Sequence, residues 1–159
     1  MAQRTESALN VSLPSDKEIS MSRTFDAPRE LVFKAHSSCE HMKHWWGPRQ
    51  YEIAECQVDF RPGGKWRIVH RAEDGGEHTF YGEYIDIVEP EKITWTFGWE
   101  GYVSTETMTL TEQDGKTTIT TLSNYDSKEA RDQMMQGDSM EQGANETYDR
   151  LAEYLKTLS

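Results

Sequence analysis

The sequence predicts an α+β domain: a curved antiparallel β-sheet wrapped around a long C-terminal α-helix, with two short helices after the first strand. Two observations carry this. Between Asp126 and Leu158, the residues Ala144, Tyr148, Leu151, Leu155 and Leu158 recur every three or four positions and form one apolar helical stripe, while Asp149, Arg150, Glu153 and Lys156 fall on the side left to water. Ahead of this helix, strand-like segments are separated only by Arg61-Pro-Gly-Gly64, Asp74-Gly-Gly76, Glu89-Pro-Glu91 and Gln113-Asp-Gly115, and connections this short join antiparallel neighbours. A long amphipathic helix needs a broad apolar partner surface, which the sheet supplies.

The elements follow in chain order. Residues 1–17 are polar, lack periodicity and contain Pro14; they read as a flexible lead, with a single domain over 18–158. Glu18 to Phe25 is the first strand. Asp26-Ala-Pro28 opens a helix with proline at its first position, Glu30 in the first turn and Leu31, Val32 and Ala35 as its buried face. A second short helix runs from Cys39 to Trp45 and stops at Gly47-Pro48. Tyr51 to Phe60 is a strand. Lys65 to Arg71 alternates, with Trp66, Ile68 and His70 on one face. His78 to Val88 is a long strand in which Gly82 marks a bulge or bend. Ile93, Trp95, Phe97 and Trp99 recur at every second residue, and Val103 to Glu112 pairs with Thr117 to Asn124. In the last helix, Asp126 and Glu129 read as a capping box, and Gly137 and Gly143 weaken the first half enough to allow a break near Gly137. A sheet bent at Gly82 and Gly98 curls around this helix, and its large aromatic residues leave a pocket between the two.

Composition narrows the function. The 159 residues suit one domain. With 17 basic and 28 acidic residues the net charge is −11, which disfavours a nucleic-acid face and a surface resting on anionic lipid. No apolar run reaches membrane-spanning length, so no membrane insertion is expected, and the N-terminus lacks the apolar core of a secretory signal. The two cysteines, Cys39 and Cys56, make no disulfide framework, which points to a reducing cytoplasm.

Five stretches carry a family resemblance: Phe25-Asp-Ala-Pro-Arg-Glu-Leu-Val-Phe33, His44-Trp-Trp-Gly-Pro48, Arg61-Pro-Gly-Gly-Lys-Trp66, Ile87-Val-Glu-Pro-Glu-Lys-Ile93 and Gly143-Ala-Asn-Glu-Thr-Tyr-Asp-Arg-Leu151. Each is mostly structural, but their order along residues 18–158 resembles the START-like (SRPBCC) superfamily. Within it the chain is similar to the branch named for the C-terminal domain of activators of the heat-shock protein 90 ATPase. The resemblance implies a helix-grip fold, with the sheet and the C-terminal helix enclosing a hydrophobic cavity. Relatives bind lipids, polyketides or other hydrophobic small molecules, and some are cyclases or hydrolases. The eukaryotic co-chaperones carry a large N-terminal domain, whereas about 17 residues precede the fold here, so the co-chaperone role that the branch name suggests is placed second.

The expected function is therefore non-covalent binding of a hydrophobic or aromatic small molecule in that cavity. Its candidate residues are Trp66, Ile68 and His70 from one strand and Trp95, Phe97 and Trp99 from another, joined by Phe80, Tyr84, Met108 and Leu110. Met134, Met135 and Met140 close one end with adaptable side chains. His70 is the polar group expected to orient the ligand. The alternatives are a co-chaperone-like module that meets a chaperone protein through the sheet surface, and a small hydrolase or cyclase using the same cavity. No pattern marks a nucleophile with its base, so binding is favoured over catalysis, although His70 with Glu83 or Glu106 offers acid–base chemistry. Neither a cofactor nor a metal is implied: His36, Cys39, His41 and His44 cluster in sequence, but Cys39 and His41 point to different sides of a helix, and the histidines read as surface residues. Trp45 and Trp46 either hold the helical segment against the sheet or flank the cavity entrance.

Overall fold

Alternation of apolar and polar residues, punctuated by tight turns, produces one eight-stranded antiparallel sheet in the computed structural model, which describes residues 9–99, 101–135 and 139–158. The strands are β1 (Asn10–Ser12), β2 (Glu18–Phe25), β3 (Tyr51–Val58), β4 (Lys65–Ala72), β5 (Glu77–Val88), β6 (Lys92–Trp99), β7 (Tyr102–Gln113) and β8 (Lys116–Tyr125). Their spatial order is β1-β2-β8-β7-β6-β5-β4-β3, so β3 to β8 form a meander and β2 returns beside the last strand. The helices are α1 (Arg29–Ala35), α2 (Cys39–Met42), α3 (Lys128–Met134) and α4 (Ser139–Leu158). Because β2 and β3 lie on opposite halves of the sheet, the α1–α2 connection must cross from one to the other. The helix-grip arrangement expected from the sequence is the one found.

Inward residues of the sheet meet α1 and α4 in a continuous core. Phe25, Val32, Phe33, Leu110, Ile119, Leu151 and Leu155 are all buried within it. Burial of such side chains contributes about 1.5–3 kcal/mol each before conformational entropy is set against it. Two bulges bend the sheet, one in β3 between Ile53 and Glu55 and one in β5 between Tyr84 and Asp86. The second lies two residues beyond Gly82. Gly82 has a different duty: a Cβ there would collide with the Thr96 carbonyl and with the Trp66 indole nitrogen.

Several local expectations are corrected. The sheet begins earlier than Glu18, because Asn10–Ser12 pairs with Ser20–Ser22. The cap of α3 is Ser127, whose hydroxyl accepts from the Ala130 amide, and not Asp126. The C-terminal helical region is two helices, α3 and α4, and Gly137 lies outside the described residues. Arg150 does not face water freely: its guanidinium donates to the carbonyls of His44, Trp46 and Gly47. Cys39 and Cys56 are joined in a disulfide, with Cα atoms 5.9 Å apart. The second half of β3 passes beneath the start of α2, an approach that a 17-residue separation in sequence does not reveal. The bonded pair also removes the thiol argument for a reducing cytoplasm. Among the described residues no helix is long and apolar enough to cross a membrane.

Candidate functional site

A cavity of about 380 Å³ lies between the inner face of the sheet and the segment that runs from α2 through Pro48 together with α3 and α4. One wall is aromatic. Trp66 and His70 come from β4, Phe80 and Tyr84 from β5, and Trp95 and Phe97 from β6, all placed inward by the two-residue period of their strands. Trp46 reaches across to this wall. Its ring centroid lies 4.8 Å from His70, 5.2 Å from Phe80 and 6.4 Å from Trp66, each in an edge-to-face arrangement that suits the ring quadrupoles.

Trp46 is held by the backbone around it. Arg150 on α4 donates to the Gly47 carbonyl at 2.7 Å and to the Trp46 carbonyl at 3.3 Å. Gly47 has φ +88°, in the left-handed region, and a Cβ there would run into the His70 imidazole. Glycine is therefore required at this position both by the turn and by the close approach. Trp45 also borders the cavity, beside His36, and donates from its indole nitrogen to the Ala35 carbonyl at 3.0 Å. Thus Trp45 fastens the segment to α1, and Trp46 packs against the aromatic residues of the sheet.

His70 is sandwiched rather than free. Tyr51 stacks on it at 5.2 Å, Phe80 packs edge-on at 5.1 Å, and only 4% of the residue is exposed. Burial, then the nearby His78 and Arg150, lower its pKa to about 4, so the ring is neutral at neutral pH. Its Nε2 abuts Gly47 and has no hydrogen-bond partner among the described residues. His36 is also inward, contrary to its expected surface position. Its Nδ1 lies 2.8 Å from the Val32 carbonyl, which can only accept, so the proton is on Nδ1, and burial lowers its pKa to about 4. His41 bonds the Tyr154 hydroxyl and His44 stacks on the same ring.

The other wall is built from β2, β7 and β8 and is polar at its centre. Glu106 accepts from Ser104 Oγ at 2.6 Å and from Ser123 Oγ at 2.7 Å. The register explains this: Glu106 lies opposite Ser123, and Ser104, on the same face of β7, lies opposite Tyr125. Burial raises the pKa of Glu106, the two serine hydroxyls pull it down, and no described cationic side chain contributes. Burial also pushes the phenols of Tyr125 and Tyr148 up to about 12. Met21, Thr121 and Ile19 complete this wall.

Of the residues singled out in sequence, Trp66, His70, Phe80, Tyr84, Trp95, Phe97, Met108, Met134 and Met140 stand around the cavity. Ile68 and Leu110 share the inward parity but are packed wholly into the core. Trp99 lies at the end of β6, stacked 6.3 Å from Phe80, and neither it nor Met135 belongs to the wall. The sequence left Trp46 open between a structural role and the cavity entrance, and it did not show the Ser104–Glu106–Ser123 group as a unit. The signal for the latter is an acidic residue at the inward parity of β7, in step with Met108 and Leu110.

A curved sheet gripping a C-terminal helix, with a cavity between them, defines a START-like (SRPBCC) protein of the helix-grip class. The family described as Activator of Hsp90 ATPase homolog 1-like protein matches residues 26–156, and the chain belongs to that family. Among solved structures, a Rhodobacter sphaeroides protein superimposes with a TM-score of 0.88 at 23% identity, covering 96% of this chain and 100% of that one. Protein Ms6760 from Mycobacterium smegmatis gives 0.85 at 24% identity, with 96% and 100% covered. CalU16 from Micromonospora echinospora gives 0.61 at 20% identity, with 93% and 83% covered. Likeness at these identities concerns the fold alone. No curated protein matches the chain.

Proposed function

We propose that the protein binds a hydrophobic or aromatic small molecule, non-covalently, in the cavity between the sheet and the helices. The observation that supports this reading most is the cavity itself: about 380 Å³ lined by Trp46, Trp66, Phe80, Trp95 and Phe97, with few polar groups at defined places. Small-molecule sites are typically about 300–1,000 Å³ and apolar with a few convergent polar groups. Binding is driven by the removal of apolar ligand surface from water, roughly 25 cal/mol per Å² before the cost of immobilisation. Methionines 108, 134 and 140 add a wall that adjusts to the guest.

The experiment is a calorimetric titration with naphthalene-based probes against the protein and its Ala144→Phe variant. Ala144 faces the cavity from α4, and a phenyl ring there occupies the space a ligand would take. Saturable binding that the variant loses, with its melting temperature retained, is the expected result. Undiminished binding by a folded variant contradicts the reading. A co-chaperone module working through the outer sheet surface would instead engage a chaperone equally well with the cavity filled.

A further inference from the structure

The two walls of the cavity meet along β7, and the residue at their seam is a carboxylate. Glu106 pairs across the sheet with Trp95 on one side and Ser123 on the other, so an indole flanks it in one direction and a hydroxyl in the other. Each of its oxygens accepts one bond from a serine, at 2.6 and 2.7 Å, which leaves each with a further lone pair to offer. Glu106 is part of the cavity wall, and no described cationic side chain contributes to its electrostatics. The buried Arg23 on the same face of the sheet is already paired with Asp149 at 2.8 Å. Carboxylates withdrawn from water are ordinarily paired with a cation. Here the acid half of such a pair stands in a binding cavity.

We propose that the cavity selects ligands whose aromatic body carries a protonated amine, with Glu106 receiving the ammonium and the aromatic wall receiving the body. This rests on the small-molecule reading above and narrows it, ranking amines ahead of neutral and anionic ligands of the same shape. Three physical features favour the amine. An ammonium supplies donors to lone pairs that the serines leave open, and a hydrogen bond between charged partners is about twice as strong as a neutral one. The indole of Trp95 beside the carboxylate adds attraction for a cation lying near its ring. The net charge of −11 draws cations toward the molecule and opposes anions. Burial favours the neutral acid in the empty cavity; an ammonium offsets that by stabilising the carboxylate, which a neutral or anionic ligand cannot do. The step is association, with any proton held by Glu106 passing to water and no other bond broken.

The test uses three probes that share one bicyclic body, naphthylethylamine, naphthylethanol and naphthylacetate, titrated calorimetrically near neutral pH into the protein and into Glu106→Gln. The expected result is roughly tenfold or greater preference for the amine over the alcohol, with the acetate weakest. In Glu106→Gln the amine falls to the level of the alcohol, the alcohol is little changed and the acetate gains. Equal affinity for amine and alcohol in the unaltered protein, or an amine preference that survives in the variant, overturns the proposal while leaving the cavity reading in place. Failure of all three probes to bind overturns both. A second readout needs no variant: the carboxyl carbon resonance of Glu106 must titrate at lower pH with the amine bound than without it. An unchanged or higher titration point overturns the role of Glu106 even if the variant does not fold.

Discussion

The aromatic wall on β4–β6 and the hydroxyl-lined wall on β2, β7 and β8 belong to the same sheet and face the same space, yet they are held by different forces. On the first, Trp66, His70 and Phe80 meet Trp46 edge-to-face while Phe97 lies tilted against Trp66 and Phe80, and even the titratable His70 is kept neutral by its burial. On the second, Glu106 is fixed by the two serine hydroxyls that the strand register brings to it. The comparison teaches that one wall depends on volume and the other on hydrogen bonds. Disturbing each should therefore have a different size, and a pH response of opposite sign.

The largest effect belongs to the aromatic wall. Trp66 is 5% exposed, packs on Phe97 and donates to the Thr96 carbonyl at 3.1 Å. Trp66→Ala should lower the unfolding free energy by about 3–5 kcal/mol, as measured by urea denaturation. A loss below about 1 kcal/mol would mean that the wall is loosely packed and that volume does not govern it.

Next comes pH. The folded pKa of His70, about 4, lies below its unfolded value of 6.5, so the unfolded chain binds more protons between those limits. The stability that His70 supports is complete above pH 6.5 and is lost as pH falls toward 4, with His36 adding a loss of the same sign. Glu106 behaves oppositely. Its folded pKa is raised, so its contribution is complete below the ordinary carboxylate value and is lost as pH rises through the folded one. Denaturation curves across pH should show His70→Leu reducing the acid-side loss and Glu106→Gln removing the loss on the rising side. If both variants move the same limb, the two walls are not electrostatically distinct.

The smallest effect is on a single hydroxyl. Ser123→Ala removes the donor to one oxygen of Glu106 and should cost about 1 kcal/mol, with the Glu106 titration moving further up. A titration that stays in place would show that Ser123 does not hold the carboxylate.

The same contrast explains what was legible in the sequence. Period-two alternation put Trp66, His70, Trp95 and Phe97 on one face, and the helical stripe put Leu151 and Leu155 against them. Parity names a face but not a depth along it, so Ile68 and Leu110, in step with wall residues, are instead packed solid in the core. Trp99 has the right parity as well, but lies too far along β6. Glu106 shows its inward position by parity alone, whereas Ser123 becomes its partner only through the β7–β8 register. Arg150 and the Cys39–Cys56 pair escaped for a related reason. Each meets a segment distant in the chain, the Trp46-Gly47 turn in one case and the start of α2 in the other, and no local pattern encodes such meetings.

The central claim, that a ligand enters between these walls, is tested most directly by isotope-filtered nuclear Overhauser spectra of the protein with a bound naphthalene probe. Contacts from the probe to the methyl groups of Met108, Met134 and Met140 are expected, since all three border the cavity. Contacts to Ile85, Val88 and Val103, whose side chains are exposed to solvent, would place binding outside it and contradict the account.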